Sequence, residues 1–260
     1  MRRVMVGVSL KAYFGRAGAR AWFDRVAAVL RHHPALRDPA IDVFVIPTYL
    51  QIDDARAALD ALGIAVGAQD VSEFGAGAYT GEVTAAELAE SGVALAEVGH
   101  AERRRLFGET DEVTAAKVAA SVAAGLVPVL CVGETEQQDA ASAAPATVAQ
   151  LRRALACAPA GRIVVAYEPV WAIGAAAPAP VGHLVAVTRA LTAALAEDPD
   201  REGSLVIYGG SAGPGLLTRL GDDVDGLFLG RFAHDPANLA AVLDEAVVLA
   251  AARRAREAVS

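Results

Sequence analysis

Short apolar runs rich in β-branched residues recur along the chain and alternate with longer, alanine-rich stretches. The runs are continuously apolar, which is typical of strands that are buried on both faces of a parallel sheet. The pattern predicts eight strands, at residues 4–10, 43–47, 64–69, 94–99, 127–133, 162–168, 204–210 and 225–230.

The stretches between these runs carry apolar residues at helical spacing. The clearest helix candidates are residues 19–33, 84–92, 110–125, 146–156, 183–198 and 236–259. Eight strand–helix units without a polar linker predict one domain over residues 1–260, an α/β fold with a closed, parallel, eight-stranded (β/α)8 barrel. An open doubly wound sheet is the alternative, but the first strand is not followed by a glycine fingerprint for a dinucleotide.

Composition and charge narrow the classes of function. Apolar residues make up 54% of the chain and charged residues 21%, which is typical of a globular protein. The formal net charge of −8 argues against nucleic acid or an anionic membrane surface as a partner. The longest uncharged run, residues 118–133, is interrupted by Ser121, Gly125 and Pro128, and indicates a helix followed by a buried strand rather than a membrane span.

The start of the chain and its cysteines predict a cytoplasmic location. Residues 1–11 lead directly into a strand and lack the apolar core of a secretory signal. Two cysteines, Cys131 and Cys157, form no disulfide framework and suit a reducing compartment. No cysteine–histidine cluster indicates a metal site.

Polar residues follow most of the predicted strands. Chemistry in a (β/α)8 barrel takes place at the carboxyl ends of the strands, so these residues are the candidates for a site. They are Lys11, Gln69, His100, Glu134, Glu168, Gly209, Gly210, Ser211, Gly230 and Arg231.

The segment AYEPVWAIGAAAPAP, residues 166–180, places an acid at the end of a buried strand. Burial without a partner cation raises the pKa of a carboxyl group and makes it a better base toward a C–H proton. Glu168 is therefore a candidate general base. The alternative is a surface acid in an ion pair.

Five motifs occur in order along the chain. They are GAYTGE (77–82), VGHAERR (98–104) with the following LFGETDE, CVGE (131–134), AYEPVWAIG (166–174) and YGGS (208–211). Together they resemble the triosephosphate isomerase family, and the resemblance runs from Lys11 to Gly230, nearly the whole chain.

The resemblance implies three catalytic residues and no cofactor or metal. Glu168 is then the general base, and His100 is a neutral imidazole, disfavoured as a cation by the helix start that follows it, which donates an N–H to the carbonyl oxygen. Lys11 is the cation that offsets phosphate and enediolate charge. No role is expected for the remaining histidines, which are His32, His33, His183 and His234.

The resemblance also implies a lid and a phosphate site. Residues 169–171 are the first hinge, 172–174 the lid tip, and 175–177 the second hinge, where the family usually has Thr-Gly-Lys and this chain has three alanines. Small residues still absorb the backbone rotation. The expected phosphate contacts are Gly174, Gly209, Gly210, Ser211 and Gly230.

Two departures from the family pattern change the lining of the site. Ser9 stands where the family has asparagine, and the shorter side chain is expected to alter contacts to the substrate. Arg231 replaces the second glycine of the last motif. Its guanidinium either binds phosphate or another polar group of the substrate, or points to solvent.

The loop of residues 75–82 resembles the family segment that reaches into the neighbouring subunit. Thr80 is then a dimer contact near the partner's active site, and the resemblance predicts a homodimer. A loop so small and apolar is unusual for a monomer.

Three functions remain open. The first is a triosephosphate isomerase that interconverts glyceraldehyde 3-phosphate and glycerone phosphate in glycolysis and gluconeogenesis. The second is the same proton transfer on a four-carbon ketose phosphate, which the changes at Ser9, Ala101, Arg231 and the alanine hinge favour. The third, disfavoured by three intact catalytic residues, is an idle phosphate-binding barrel.

Overall fold

Eight parallel strands close into a barrel in the computed structural model, which describes residues 2–175 and 177–258. Each strand pairs with the next in chain order, and β1 pairs with β8 to close the ring. The strands are β1 (Val4–Ser9), β2 (Ile41–Ile46), β3 (Ala65–Ala68), β4 (Leu95–Val98), β5 (Val127–Val132), β6 (Val164–Tyr167), β7 (Leu205–Tyr208) and β8 (Gly226–Leu229). The predicted (β/α)8 barrel is confirmed.

The strand boundaries differ from the predicted ones by one or two residues. The largest extension is in β2, which begins at Ile41 because Ile41 pairs with Val4 and Asp42 with Met5. Asp42 interrupts the apolar run, and its half-buried carboxylate is paired with the guanidinium of Arg3. The apolar pattern therefore predicted the start of β2 two residues too late, because a charged residue lies inside the strand.

Helices surround the sheet. They are α1 (Arg16–Leu30), α2 (Ile52–Leu59), α3 (Ala85–Glu90), α4 (Ala101–Phe107), α5 (Asp111–Ala123), α6 (Ala140–Leu155), α7 (Val181–Ala196), α8 (Leu216–Leu220) and α9 (Pro236–Glu257). Helix α6 begins six residues before the predicted start, ahead of Pro145, because the Asp139 side chain accepts a hydrogen bond from the Ser142 N–H and caps the helix.

Large apolar side chains fill the inside of the barrel. Met5, Phe44, Leu95, Ile207 and Phe228 belong to one buried interior cluster, separate from the cluster between the strands and the helices. The filled interior leaves the carboxyl rim of the sheet as the place where polar side chains from several strands can meet.

Helix α9 is the longest of the described helices, at 22 residues, and carries charges along its length. Arg253 is buried and donates to the carbonyl oxygens of Arg3 and Val224, so the helix ties the first and last strands together. Within residues 2–175 and 177–258, no helix has both the length and the apolar character needed to cross a membrane.

The pairing of β8 with β1 requires glycine at position 226, the first residue of β8. A Cβ atom on Gly226 would lie 1.6 Å from the carbonyl oxygen of Met5 in the paired strand β1. We expect Gly226→Ala to lower the free energy of unfolding by about 4 kcal/mol or more, because the backbone of β1 or β8 must shift to make room for the methyl group. Urea denaturation measures this change. The control is Gly182→Ala in α7, where a Cβ meets nothing within 4 Å. Equal stability of the two variants would contradict the closure as described.

Candidate active site

Three strand ends bring the predicted catalytic residues together. Lys11 follows β1, His100 precedes α4, and Glu168 follows β6. The Lys11 Nζ lies 2.8 Å from the His100 Nε2, and Glu168 Oε2 lies 3.4 Å from the same nitrogen. A base, an imidazole and a cation thus surround one point at the rim of the barrel.

The backbone of Lys11 has a conformation that non-glycine residues rarely adopt. Its φ angle is +47°, in the left-handed region. The side-chain amide of Gln69 donates a 2.8 Å hydrogen bond to the Lys11 carbonyl oxygen and helps to fix this geometry. Strained backbone of this kind persists where the surrounding structure holds it, and it is concentrated at functional sites.

His100 forms the cap of helix α4. Its Nδ1 accepts a 3.1 Å hydrogen bond from the backbone N–H of Glu102, so a neutral ring carries its proton on Nε2. Burial, together with the positive charges of Lys11 and Arg103, lowers the pKa of His100 to about 3. The imidazole is therefore neutral at physiological pH, and its Nε2 lies near both Lys11 and Glu168.

Glu168 is buried, with 5% of its side chain exposed. Burial raises the pKa of Glu168 to about 8, an effect that Lys11 opposes and that Glu97 and Glu102 reinforce. Its Oε2 has no hydrogen-bond donor among the described residues. Glu168 is therefore a poorly solvated carboxyl group, the state in which a glutamate is a stronger base than usual.

Two glycines permit this position of Glu168. A Cβ on Gly209 would lie 2.7 Å from Glu168 Cγ and Oε1, and a Cβ on Gly133 would lie 2.0 Å from the Glu168 carbonyl oxygen. Both distances are too short for any side chain. The backbone that directly follows β5 and β7 thus approaches Glu168 as closely as glycine allows.

Lys11 is surrounded by carboxyl groups. Burial alone would lower the pKa of Lys11, but Glu168, Glu97 and Glu102 together raise it. The nearest carboxylate with a measured contact is Glu102, whose Oε1 lies 3.3 Å from Nζ. Lys11 therefore remains an ammonium ion throughout the physiological range.

Glu97 is a site residue that the sequence did not reveal. It lies in β4, is 3% exposed, and accepts a 2.8 Å hydrogen bond from the Ser9 hydroxyl. Its Oε1 is 4.0 Å from His100 Nε2. Burial raises the pKa of Glu97 to about 7, although Lys11 and Ser9 oppose the effect. A charged residue at an inward position of a barrel strand is the signal that could have found it.

A cavity of about 980 Å³ opens above these residues. It is lined at one side by Lys11, His100 and Glu168 and at the other by the glycine loops after β7 and β8. Ser9, expected to contact the substrate, is buried and is not among the lining residues, because its hydroxyl is bound to Glu97.

Four residues of the expected lid line the cavity, namely Val170, Ile173, Gly174 and Ala175. Residues Val170–Ala172 form a short 3-10 turn, and Gly174 has a φ angle of +73°. The Ser211 hydroxyl lies 3.1 Å from the Ala172 carbonyl oxygen and 3.0 Å from that of Ala175. Ser211 thus contacts the lid at two points, and Ala176 of the second hinge lies outside the described residues.

A buried polar network supports the first hinge. Trp171 Nε1 donates a 2.9 Å hydrogen bond to Glu134 Oε1, and the Tyr167 hydroxyl lies 3.1 Å from both oxygens of Glu134. His183 Nε2, for which no role was expected, lies 2.9 Å from Glu134 Oε1 and 3.0 Å from the Tyr167 hydroxyl. Its partner is 49 residues away in sequence, so no local pattern revealed it.

All of the predicted phosphate-binding residues line the cavity, but the backbone N–H of one of them, Gly209, already has a partner. Gly210, Ser211, Gly230 and Arg231 line the cavity together with Gly209 and Gly174. The Gly209 N–H, however, donates to the Tyr167 carbonyl oxygen at 2.9 Å and is already used within the sheet. The space that Gly209 leaves for Glu168 explains its presence without a phosphate contact.

Arg231 is exposed at the rim of the cavity, next to the lid tip. A Cβ on Gly174 would lie 3.6 Å from Arg231 Nη2. His234 also lines the cavity. Burial lowers the pKa of His234, and the positive charge of Arg231 lowers it further. The guanidinium is thus within the cavity wall and close to the lid.

The loop of residues 74–82 is exposed throughout, Thr80 included. Phe74 and Tyr79 stack on each other with ring centroids 4.2 Å apart and remain 40% and 44% exposed. Two exposed aromatic rings at the base of one loop form an apolar surface of the kind found at protein contacts.

Comparison with known proteins identifies the family. The family model for triosephosphate isomerase matches residues 4–246. L-Erythrulose-1-phosphate isomerase of Pectobacterium atrosepticum is 45% identical over 252 residues, which cover 95% of this chain and 97% of that protein. Triosephosphate isomerase of Leifsonia xyli is 42% identical, over 78% of this chain and 82% of its own. Triosephosphate isomerase of Thermus thermophilus is 39% identical, over 82% of this chain and 86% of its own.

The match of the family model to almost the whole chain agrees with the barrel and with the convergence of Lys11, His100 and Glu168 at its rim. Both kinds of named relative are isomerases of phosphorylated sugars. The chain belongs to the triosephosphate isomerase family and is a sugar-phosphate isomerase.

Proposed function

We propose that this enzyme isomerises a four-carbon ketose phosphate through an enediolate, by the proton transfer that the family resemblance implies. The observation that carries the proposal is the meeting of Glu168, His100 and Lys11 around His100 Nε2. The relative that shares 45% identity over 95% of the chain is named for a four-carbon substrate. Interconversion of the three-carbon phosphates is the second candidate, favoured by the relatives named triosephosphate isomerase.

In this proposal Glu168 removes a proton from the carbon next to the carbonyl group. A carboxylate whose pKa is raised to about 8 is a stronger base than an ordinary glutamate. Burial also removes the water that would otherwise solvate the charge. The same acid then returns the proton to the former carbonyl carbon, while the hydroxyl proton of the deprotonated carbon passes to the former carbonyl oxygen, so the carbonyl group moves by one position.

His100 and Lys11 stabilise the enediolate oxygen. The imidazole carries its proton on Nε2, and the ammonium nitrogen of Lys11 lies 2.8 Å from that atom, so both groups offer N–H donors at one point of the cavity wall. An oxygen that gains negative charge in the transition state accepts from both. The arrangement favours an anionic oxygen over a neutral carbonyl, as catalysis requires.

The phosphate binds in the proposal at the loops after β7 and β8. Gly210 and Gly230 line the cavity and carry no side chain that would shield their backbone amides, and Gly174 of the lid tip lines the same cavity. Amides of this kind bind an anion by several hydrogen bonds at once. Ser211 contributes indirectly by its contacts to the lid.

Three features support the longer substrate. Arg231 adds a cation to the cavity wall, and its charged donors suit a hydroxyl or phosphate oxygen. Ala101 is a small residue of the cavity lining, and the cavity of about 980 Å³ is ample for a four-carbon phosphate. A role in glycolysis and gluconeogenesis belongs to the three-carbon candidate.

We also propose a cytoplasmic homodimer in which the loop of residues 74–82 contacts the partner subunit. The exposed rings of Phe74 and Tyr79 are the support for the contact. Cys131 and Cys157 are both unpaired, as a reducing compartment requires.

The role of Glu168 is tested by Glu168→Gln. We expect kcat to fall roughly a thousandfold, because the amide cannot accept the carbon-bound proton, while binding of a phosphate analogue stays within about threefold. Steady-state kinetics and calorimetric titration measure the two effects. Glu136→Gln is the control, an exposed acid outside the cavity. Retention of most of the turnover by Glu168→Gln would exclude Glu168 as the base.

The role of Arg231 is tested by Arg231→Gly. We expect the ratio of kcat/KM for the three-carbon substrate to that for the four-carbon substrate to rise about tenfold, because only the longer substrate loses a charged hydrogen bond. Arg105→Ala removes another exposed arginine of the same cavity and should leave the ratio unchanged. An equal loss with both substrates would limit Arg231 to phosphate binding, and no change would leave it without a role.

The dimer contact is tested by Thr80→Glu. We expect a buried charge at the contact to weaken association and to lower activity together, measured by light scattering and kinetics over the same dilution series. Val248→Glu adds the same charge at an exposed position on α9 and should do neither. A wild-type enzyme that is monomeric and fully active would refute the proposed dimer.

A further inference from the structure

Glu97 and Ser9 form a buried polar pair inside the barrel. Glu97 lies two residues after Leu95 on the same face of β4, and Leu95 belongs to the interior apolar cluster. Ser9, the last residue of β1, donates its hydroxyl to Glu97 Oε2 at 2.8 Å. The two residues are 3% and 4% exposed. A carboxyl group has thus been placed where the barrel is otherwise filled by apolar side chains.

The other oxygen of this carboxyl group faces the reaction site. Glu97 Oε1 lies 4.0 Å from His100 Nε2, the nitrogen that is also 2.8 Å from Lys11 and 3.4 Å from Glu168. Glu97 therefore lies beneath the point at which the three catalytic groups meet. The titratable groups that act on Glu97 or are acted on by it are Lys11, Asp70, His100, Glu102, Cys131 and Glu168.

We propose that Glu97 is a positioning residue for the isomerisation, one that anchors Lys11 and His100 from inside the barrel and makes Glu168 a stronger base. The proposal rests on the function proposed above. A carboxylate attracts the ammonium of Lys11 and repels a second carboxylate, so Glu168 holds its proton more tightly when Glu97 is ionised. Each effect acts through another residue and requires no contact with the substrate.

The cost of burying Glu97 supports a functional role. A carboxyl group in an apolar interior is destabilising unless it is fully hydrogen-bonded, and Ser9 is one donor only. Burial raises the pKa of Glu97, which shows that the folded protein disfavours the charged form. A residue that served packing alone would be apolar here, as Leu95 is.

The first test is the pH profile of kcat/KM for Glu97→Gln. Activity requires ionised Glu168, so kcat/KM of the wild-type enzyme rises with pH through the raised pKa of that residue. Glutamine keeps the shape but removes the charge, and we expect the rising limb to move to lower pH by roughly one unit. We also expect kcat on the high-pH plateau to fall about tenfold and KM to change by less than about threefold.

Two further variants distinguish an effect of the Glu97 charge on the site from a general loss of stability. Glu97→Asp retains the charge, and we expect its rising limb to stay near that of the wild type. Asp225→Asn removes a second buried acid, 3% exposed, which accepts from the Val206 N–H at the opposite end of the barrel. We expect it to lower the melting temperature and leave the pH profile unchanged. A Glu97→Gln profile that coincides with the wild-type profile would overturn the proposal.

Stability provides a second measurement that does not depend on the substrate. An acid whose pKa is raised on folding binds more protons in the folded state, so wild-type stability falls as pH rises from about 4.5 to 7. Glu97→Gln should therefore lose less of its melting temperature between pH 5 and pH 8 than the wild type does. The same loss in both proteins would overturn the proposal, because Glu97 would then not be a group that ionises inside the barrel, whereas a wild type inactive on both sugar phosphates would refute only the proposed function.

Discussion

The position of Glu168 depends on how closely three strands approach one another at the barrel rim. A Cβ atom on Gly133 would lie 2.0 Å from the Glu168 carbonyl oxygen, and a Cβ atom on Gly209 would lie 2.7 Å from the Glu168 side chain. The two glycines keep the carboxyl group buried and 3.4 Å from His100. Without that approach the base would be solvated, and its pKa would return toward that of an ordinary glutamate.

The charged rim in turn depends on the apolar interior below it. Met5, Phe44 and Phe228 fill the barrel and exclude water from beneath the site. In that environment the interactions among Lys11, Glu168 and their neighbours are stronger than they would be at the surface. The same burial keeps His100 neutral, so its N–H remains available to an oxygen acceptor.

Much of this arrangement could be predicted from the sequence. Continuous apolar runs located all eight strands, because strands that are buried on both faces of a parallel sheet carry apolar residues at successive positions. Glu97 was missed because the direction of a side chain in a closed barrel depends on register with β5, through pairs such as Glu97 with Val129. His183 was missed because its partner, Glu134, is 49 residues away in sequence and is brought near only by the folding of the barrel.

Proton transfer by Glu168 is tested most directly by proton NMR of the reaction in D2O. A base that exchanges with solvent places deuterium on the carbon beside the carbonyl group, whereas a direct hydride shift does not. With wild-type enzyme and a four-carbon ketose phosphate, we expect an isomeric product that carries deuterium at that carbon. Formation of no isomer, or of an isomer that carries protium alone, would contradict the proposed reaction.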